Sequence, residues 1–173
     1  MSEESMATLT AGWKRIVSEI GIEFASPWAV DMLREAGQTV EGENVKFDPE
    51  WILKQVAKAP SEFTLRARNP KNNAKVGGNH MAFGSVYGPP FVQKDGVRRD
   101  GTFEDFQNFC KLAQSFDSID SVGGVVVEPN DLSLDSRHLD MAFAQATLTD
   151  KFFMGNVVTA EKARDGIAMA EII

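Results

Sequence analysis

The stretch "GGNHMAFGSVYGPPFV", residues 77–92, holds the single tyrosine of a 173-residue chain and one of its two histidines. Gly77, Gly78, Gly84 and Gly88 permit positive φ and close backbone approach, Pro89 and Pro90 stiffen the exit, and Asn79, His80 and Tyr87 supply a few directed polar groups. This composition suits a rigid loop lying against a pocket. The faces of Phe83, Tyr87 and Phe91 are of the kind that hold an organic cation, which is bound by ring quadrupoles and by desolvation. A competing reading gives the glycines to hairpin turns and the rings to packing, which is the commoner use of such a composition.

The other polar candidates depend on the elements that carry them. From Thr102 onward the pattern alternates helix and strand: "FEDFQNFCKLAQSF", "SVGGVVV", "SRHLDMAFAQATLT", "KFFMGNVV" and "AEKARDGIAMAEII" read as α, β, α, β, α. Phe103, Phe106, Cys110 and Ala113 share one face of the first helix beside Phe109, Leu112 and Phe116. Leu139, Ala142, Phe143 and Ala146 mark the expected apolar face of the second. "SVGGVVV" is continuous enough for a parallel strand buried on both sides. Such a repeat implies a parallel sheet, either doubly wound or closed as a (β/α) barrel. In a barrel the chemistry lies on the loops after the strands, which brings Glu128, Pro129 and Asn130 forward after the first strand and Gly155 and Asn156 after the second. Glu128 and Asn156 are the best-placed polar residues, although each also has a plain structural use, as a turn cap and a ladder end.

Before Thr102 the rhythm is that of an α+β segment. Ser26 and Pro27 open a helix through "WAVDMLREA" that Gly37 stops, "VEGENVKF" reads as a hairpin, and Asp48 with Pro49 opens "EWILKQVAKA", ending before Pro60. "FTLRAR" and "AKVGG" follow as antiparallel strands around Asn69-Pro70, and "FVQKDGVRR" as a hairpin on Asp95-Gly96. The expected domains are therefore an α+β elaboration over residues 1–101 and the first βα units over 102–173. Two parallel strands with three helices leave sheet edges open, whereas a (β/α)8 barrel takes about 250 residues. The chain is accordingly expected to be the N-terminal part of a longer protein, inactive alone.

Composition excludes several classes. A net charge of -7 and a pI near 4.9 repel nucleic acid and anionic membranes, and no basic stripe offsets them. No run of eighteen apolar residues occurs and the first residues are acidic, so a cytoplasmic protein is expected. Cys110 is alone, His80 and His138 lack the spacing of a metal site, and no phosphate-binding glycine motif is present, so no metal and no nucleotide are expected. His138, beside Leu139 with Asp135 and Arg137 near it, reads as a packing or helix-surface histidine.

"SEIGIEF", "FTLRARNP", "GGNHMAFG", "GPPFV", "GTFEDFQNFCKLAQ", "GGVVVEPND", "RHLDMAFA" and "TDKFFMG" stand in an order and at spacings that resemble the amino-terminal portion of the trimethylamine:corrinoid methyltransferase family, including its glycine betaine-type members. The resemblance runs over roughly residues 15–165. It implies a TIM barrel with an N-terminal elaboration, and transfer of a methyl group from a tertiary or quaternary methylamine to the cobalt of a cognate corrinoid protein. It implies no cofactor bound by the chain itself, since the corrinoid arrives on the partner. Trimethylamine-specific members carry a pyrrolysine well beyond position 173 and betaine-type members lack it. With a quaternary ammonium as substrate, Phe83, Tyr87 and Phe91 become cage candidates, His80, Glu128 and Asn156 further substrate contacts, and Arg66, Arg68 or the amides at Gly77 and Gly78 sources of donors for a betaine carboxylate. Catalytic residues are not assigned, and homo-oligomerisation is left open. Two rival classes stay open as well: another TIM-barrel enzyme, such as a lyase or a different cobalamin-dependent methyltransferase, and a non-catalytic interaction protein.

Overall fold

In the computed structural model, which describes residues 2–155 and 158–173, the chain forms two compact units, Met1–Pro60 and Ser61–Ile173. The first unit opens with α1 (Glu3–Arg15), whose N-cap Ser2 accepts from the Ser5 amide and whose first and last turns carry the acidic and basic residues that favour a helix dipole. Its last residues continue as a π-turn over Ile16–Ile20. α1 buries no residue, so its apolar positions mark no core face. A three-stranded antiparallel sheet follows, in the order β1 (Ile22–Glu23), β3 (Asn44–Lys46), β2 (Thr39–Glu41), with α2 (Pro27–Glu35) and α3 (Pro49–Val56) around it. Leu33, Val45 and Phe47 form its core, against which Val17, Phe24, Val40, Trp51 and Ile52 pack. The two helices and the hairpin stand where their proline starts and glycine turns put them.

The second unit begins with two antiparallel hairpins, β4 (Glu62–Leu65) with β5 (Ala74–Gly77), and β6 (Phe91–Lys94) with β7 (Val97–Asp100). Asp95 and Gly96 both have positive φ, 51° and 78°, the geometry a two-residue turn needs to match strand twist. Thr102 then caps α4 (Phe103–Ser115) through a complete capping box with Asp105. The strand β8 (Ser121–Gly123), the helix α5 (Arg137–Leu148) and the strand β9 (Phe152–Phe153) make a βαβ unit whose strands pair in parallel, and α6 (Ala160–Ile172) follows behind a Thr159 cap. Phe106, Cys110, Ala113, Val122, Val125, Val126, Val127, Met141 and Ala144 form one core beneath this layer.

Parallel pairing also reaches upstream of Thr102. Gly84 forms a parallel bridge with Ser121, the Ser85 amide donates to Ser121 O, the Gly88 amide to Val125 O and the Glu128 amide to Pro89 O. The segment 84–89 thus runs along the edge of β8 that β9 does not occupy. Chain direction is common to all three, so Tyr87, Gly124 and Met154 lie toward the C-terminal ends of one parallel layer.

Two expectations are corrected. The run "SVGGVVV" is buried throughout, but the ladder covers only Ser121–Gly123, because Gly123 at φ 80° turns the chain out of strand geometry and Val125–Val127 pack as a loop. The buried face of α5 is His138, Met141, Ala144, Gln145 and Ala146; of the expected face Ala146 is buried and Ala142 half-buried, whereas Leu139 and Phe143 are exposed. Hydrophobicity alone pointed to the neighbouring face. The face that turns inward is the one whose Gln145 amide meets the carbonyls at the end of β8.

Candidate functional site

Tyr87 and Glu128 come to the same end of the parallel layer. The Glu128 amide is bonded to Pro89 O at 3.0 Å, two residues beyond Tyr87. The Glu128 carboxylate faces the guanidinium of Arg137 at 2.7 Å, both partly buried. Arg137 is the first residue of α5, where a cation opposes the helix dipole, and the carboxylate beside it offsets that cost. Oxygen Oε2 of Glu128 is buried against the Arg137 guanidinium. Asn130 ties the loop down by donating to the carbonyls of Pro90, Gly101 and Glu128. Among the described residues, no group of three or more His, Cys, Asp or Glu could hold a metal ion.

The remaining sequence candidates go elsewhere. Phe83 stands at the opposite end of the segment 84–89, where its amide donates to Asp120 Oδ2 at 2.8 Å and its carbonyl accepts from the Asp120 amide. Phe91 lies on β6 with the Arg98 guanidinium 3.9 Å from its ring centroid, so that face already holds a cation. Phe91 also lines the cleft beside α4 together with Val86, whereas the Tyr87 ring lies on the backbone of Gly124, so the three rings have different neighbours. His80 is exposed in the tight turn after β5, its amide bonded to Gly77 O. Asn156 lies outside the described residues. Arg66 and Arg68 are exposed and line a cleft of about 770 Å³ together with Phe152, Phe153 and α6. The Gly77–Gly78 backbone packs against Ser61 and Glu62.

Several residues that position the site escaped the sequence reading. Gln145, 2% exposed, donates Nε2 to Gly123 O at 3.2 Å and Gly124 O at 2.6 Å. Its signal was an amide one helical turn from Met141, on a face that otherwise carries His138 and apolar residues. Lys151, 7% exposed, donates Nζ to the carbonyls of Ala113, Phe116 and Ile119 at 2.9, 2.7 and 2.6 Å, closing the C-terminal end of α4. Next to it the Asp150 carboxylate accepts from Asn69, Asn72 and Gln114, and these bonds, led by those of Asn69 and Gln114, hold it below the usual carboxylate range. This network sits at the N-terminal end of β9, the end opposite Tyr87, and it joins the Asn69 turn to the parallel layer. His138 is buried and its Nε2 lies 2.8 Å from Asp165 Oδ2, tying α5 to α6. That is the packing role its sequence position indicated.

Comparison with known proteins places these features in a wider context. A family profile described as "Trimethylamine methyltransferase (MTTB)" matches residues 1–173. A protein named glycine betaine methyltransferase, from Desulfitobacterium hafniense strain Y51, is 38% identical over the whole chain, which covers 36% of that protein. A proline betaine:corrinoid methyltransferase from Eubacterium limosum is 28% identical over 87% of the chain and 31% of its own length. The trimethylamine methyltransferase MttB of Desulfitobacterium hafniense strain DCB-2 is 24% identical over 70% of the chain and 25% of its own length. The chain thus spans about a third of the length of the curated relatives it matches.

Proposed function

The chain belongs to the trimethylamine methyltransferase family, and from that premise we propose that it forms the opening part of a cytoplasmic enzyme moving a methyl group from a betaine to the cobalt of a corrinoid protein. What carries this reading is the match along all 173 residues to a glycine betaine methyltransferase at 38% identity, against 24% for the trimethylamine enzyme over a shorter stretch. The proposed architecture is a (β/α)8 barrel with an α+β elaboration. The parallel pairing supports it: β8 pairs with β9 on one side and bridges to Gly84 on the other, and a cleft of about 770 Å³ runs beside β9. Further βα units would extend the layer, leaving the C-terminal ends of the strands as the rim.

At that rim the proposed substrate is a zwitterion. Tyr87 offers a ring face to the quaternary ammonium and Glu128 a carboxylate, while the Arg137 guanidinium suits the substrate's own carboxylate. In the reaction, the electron pair of a reduced cobalt forms the new bond to the methyl carbon, and the carbon–nitrogen pair leaves with the amine. No proton moves in this step. The protein's contribution is alignment of the methyl carbon and removal of water from the cation, effects that together lower a barrier by several kcal/mol. The partners are therefore the small methylated amine and the corrinoid protein.

The test uses the complete enzyme with its reduced corrinoid protein and follows cobalt methylation by visible absorbance with glycine betaine, proline betaine and trimethylamine. Methylation with a betaine is expected. Methylation with trimethylamine alone overturns the substrate class, and methylation with none of the three overturns the reaction.

A further inference from the structure

We infer that Gly124, with Gln145 behind it, is a positioning residue that seats the Tyr87 ring so that its free face receives the quaternary ammonium group, a proposal that rests on the betaine reading above. Tyr87 is 60% exposed. An exposed tyrosine ordinarily samples several rotamers, yet this ring lies directly on the backbone of Gly124. A Cβ placed there would overlap Cε2 of the ring and stand 3.1 Å from Cδ2 and 3.3 Å from Cζ. The missing side chain is therefore the space that the ring occupies.

The floor under the ring is itself fixed. Gly123, at φ 80°, directs its carbonyl and that of Gly124 onto the buried Gln145 amide, and its own amide donates to Ser121 Oγ at 2.9 Å. Ser121 Oγ in turn donates to Phe152 O at 3.0 Å. The chain on either side of Tyr87 is held by the Ser85 amide on Ser121 O and by the Gly88 amide on Val125 O at 2.6 Å. Ser85 and Val86 line the apolar cleft beside α4, whereas the neighbouring Tyr87 places its ring on Gly124. One ring face thus rests on backbone and the other is open. Holding a ring in advance removes the ordering cost that a free side chain would meet on binding a cation.

Tyr87 is the only tyrosine, so biosynthetic 3-fluorotyrosine gives a single ¹⁹F line from this ring. Gly124→Ala is expected to move that line toward the position of the unfolded chain while tryptophan emission, from Trp13, Trp28 and Trp51 of the first unit, stays unchanged. Gln145→Met, which frees both glycine carbonyls, is expected to broaden it. In the complete enzyme, Gly124→Ala is expected to raise the KM for glycine betaine roughly 5- to 30-fold with kcat altered far less. Tyr87→Ala should do the same, Tyr87→Phe should not, and the Gly124→Ala/Tyr87→Ala double variant should add nothing to either single change. An unmoved ¹⁹F line in Gly124→Ala overturns the seat, and an unchanged line width in Gln145→Met removes Gln145 from it. Additive KM effects overturn the positioning role. Failure of the parent enzyme to methylate cobalt with any amine counts against the proposed function instead, and the ¹⁹F line reports on the seat in either case.

Discussion

Replacing Lys151 by methionine should destabilise the second unit by about 3 kcal/mol. The ammonium is buried and spends its three donors on the carbonyls of Ala113, Phe116 and Ile119, at 2.6–2.9 Å. Each charge-assisted bond contributes about 1.5 kcal/mol net, which gives roughly 4–5 kcal/mol for three. Methionine keeps the length of the side chain and recovers about 1–2 kcal/mol by burying apolar atoms without an ammonium to desolvate. The carbonyls of Ala113, Phe116 and Ile119 then lose the ammonium, with Phe116 O keeping only the Ile119 amide. The natural probe is the ¹⁹F line of 3-fluorotyrosine at Tyr87, which lies in the second unit, whereas all three tryptophans lie in the first. With a urea m-value of about 2 kcal/mol/M, the midpoint read from that line should fall by about 1.5 M. Lys151→Arg, which keeps the charge, should recover part of the loss. A midpoint for Lys151→Met within about 0.3 M of the parent would refute the reasoning, because the three bonds would then contribute nothing net.

Asp105 accepts from Arg99 and from the Thr102 amide and hydroxyl, and these bonds, led by Arg99, hold its carboxyl well below the usual range. A depressed folded pKa adds stability that is complete above the unfolded carboxylate value, about 4, and is lost as pH falls through the folded value. Asp105→Asn should therefore cost about 1 kcal/mol at neutral pH, with the gap to the parent closing in acid; equal gaps at pH 7 and pH 2.5 in urea titrations would contradict this. Burial pushes the Cys110 thiol up to about 12, so an aromatic disulfide reagent at pH 8 should label no cysteine in the native chain and one in denaturant. Full native labelling would mean that α4 does not pack as described. In the complete enzyme, Arg137→Met should raise the KM for glycine betaine about tenfold or more while leaving that for any slow trimethylamine turnover nearly unchanged. Equal effects on both amines would separate Arg137 from the substrate carboxylate.

The local chemistry of the chain determined most of its elements. Proline and aspartate starts at Pro27 and Pro49, the Asp95-Gly96 turn, the Thr102 and Thr159 caps and the 3.6-residue periodicity of α4 each act within a few residues, and each element stands where these signals put it. The run of motifs also identified the family. Tertiary structure alone decided which of these pieces meet. Phe83, Tyr87 and Phe91 recur every fourth residue and look like one cluster in the sequence, but Phe83 is anchored beside Asp120, the Tyr87 ring lies on Gly124 and Phe91 holds the Arg98 guanidinium. Glu128 finds Arg137 across eight intervening residues, and Gln145 of α5 finds Gly124 at the end of β8, through contacts that no local pattern encodes. The same holds for the inward face of α5. Its apolar residues fall on two adjacent stripes, and the choice between them was made by the polar groups at the end of β8, whose burial is tolerable only when an amide such as that of Gln145 satisfies them.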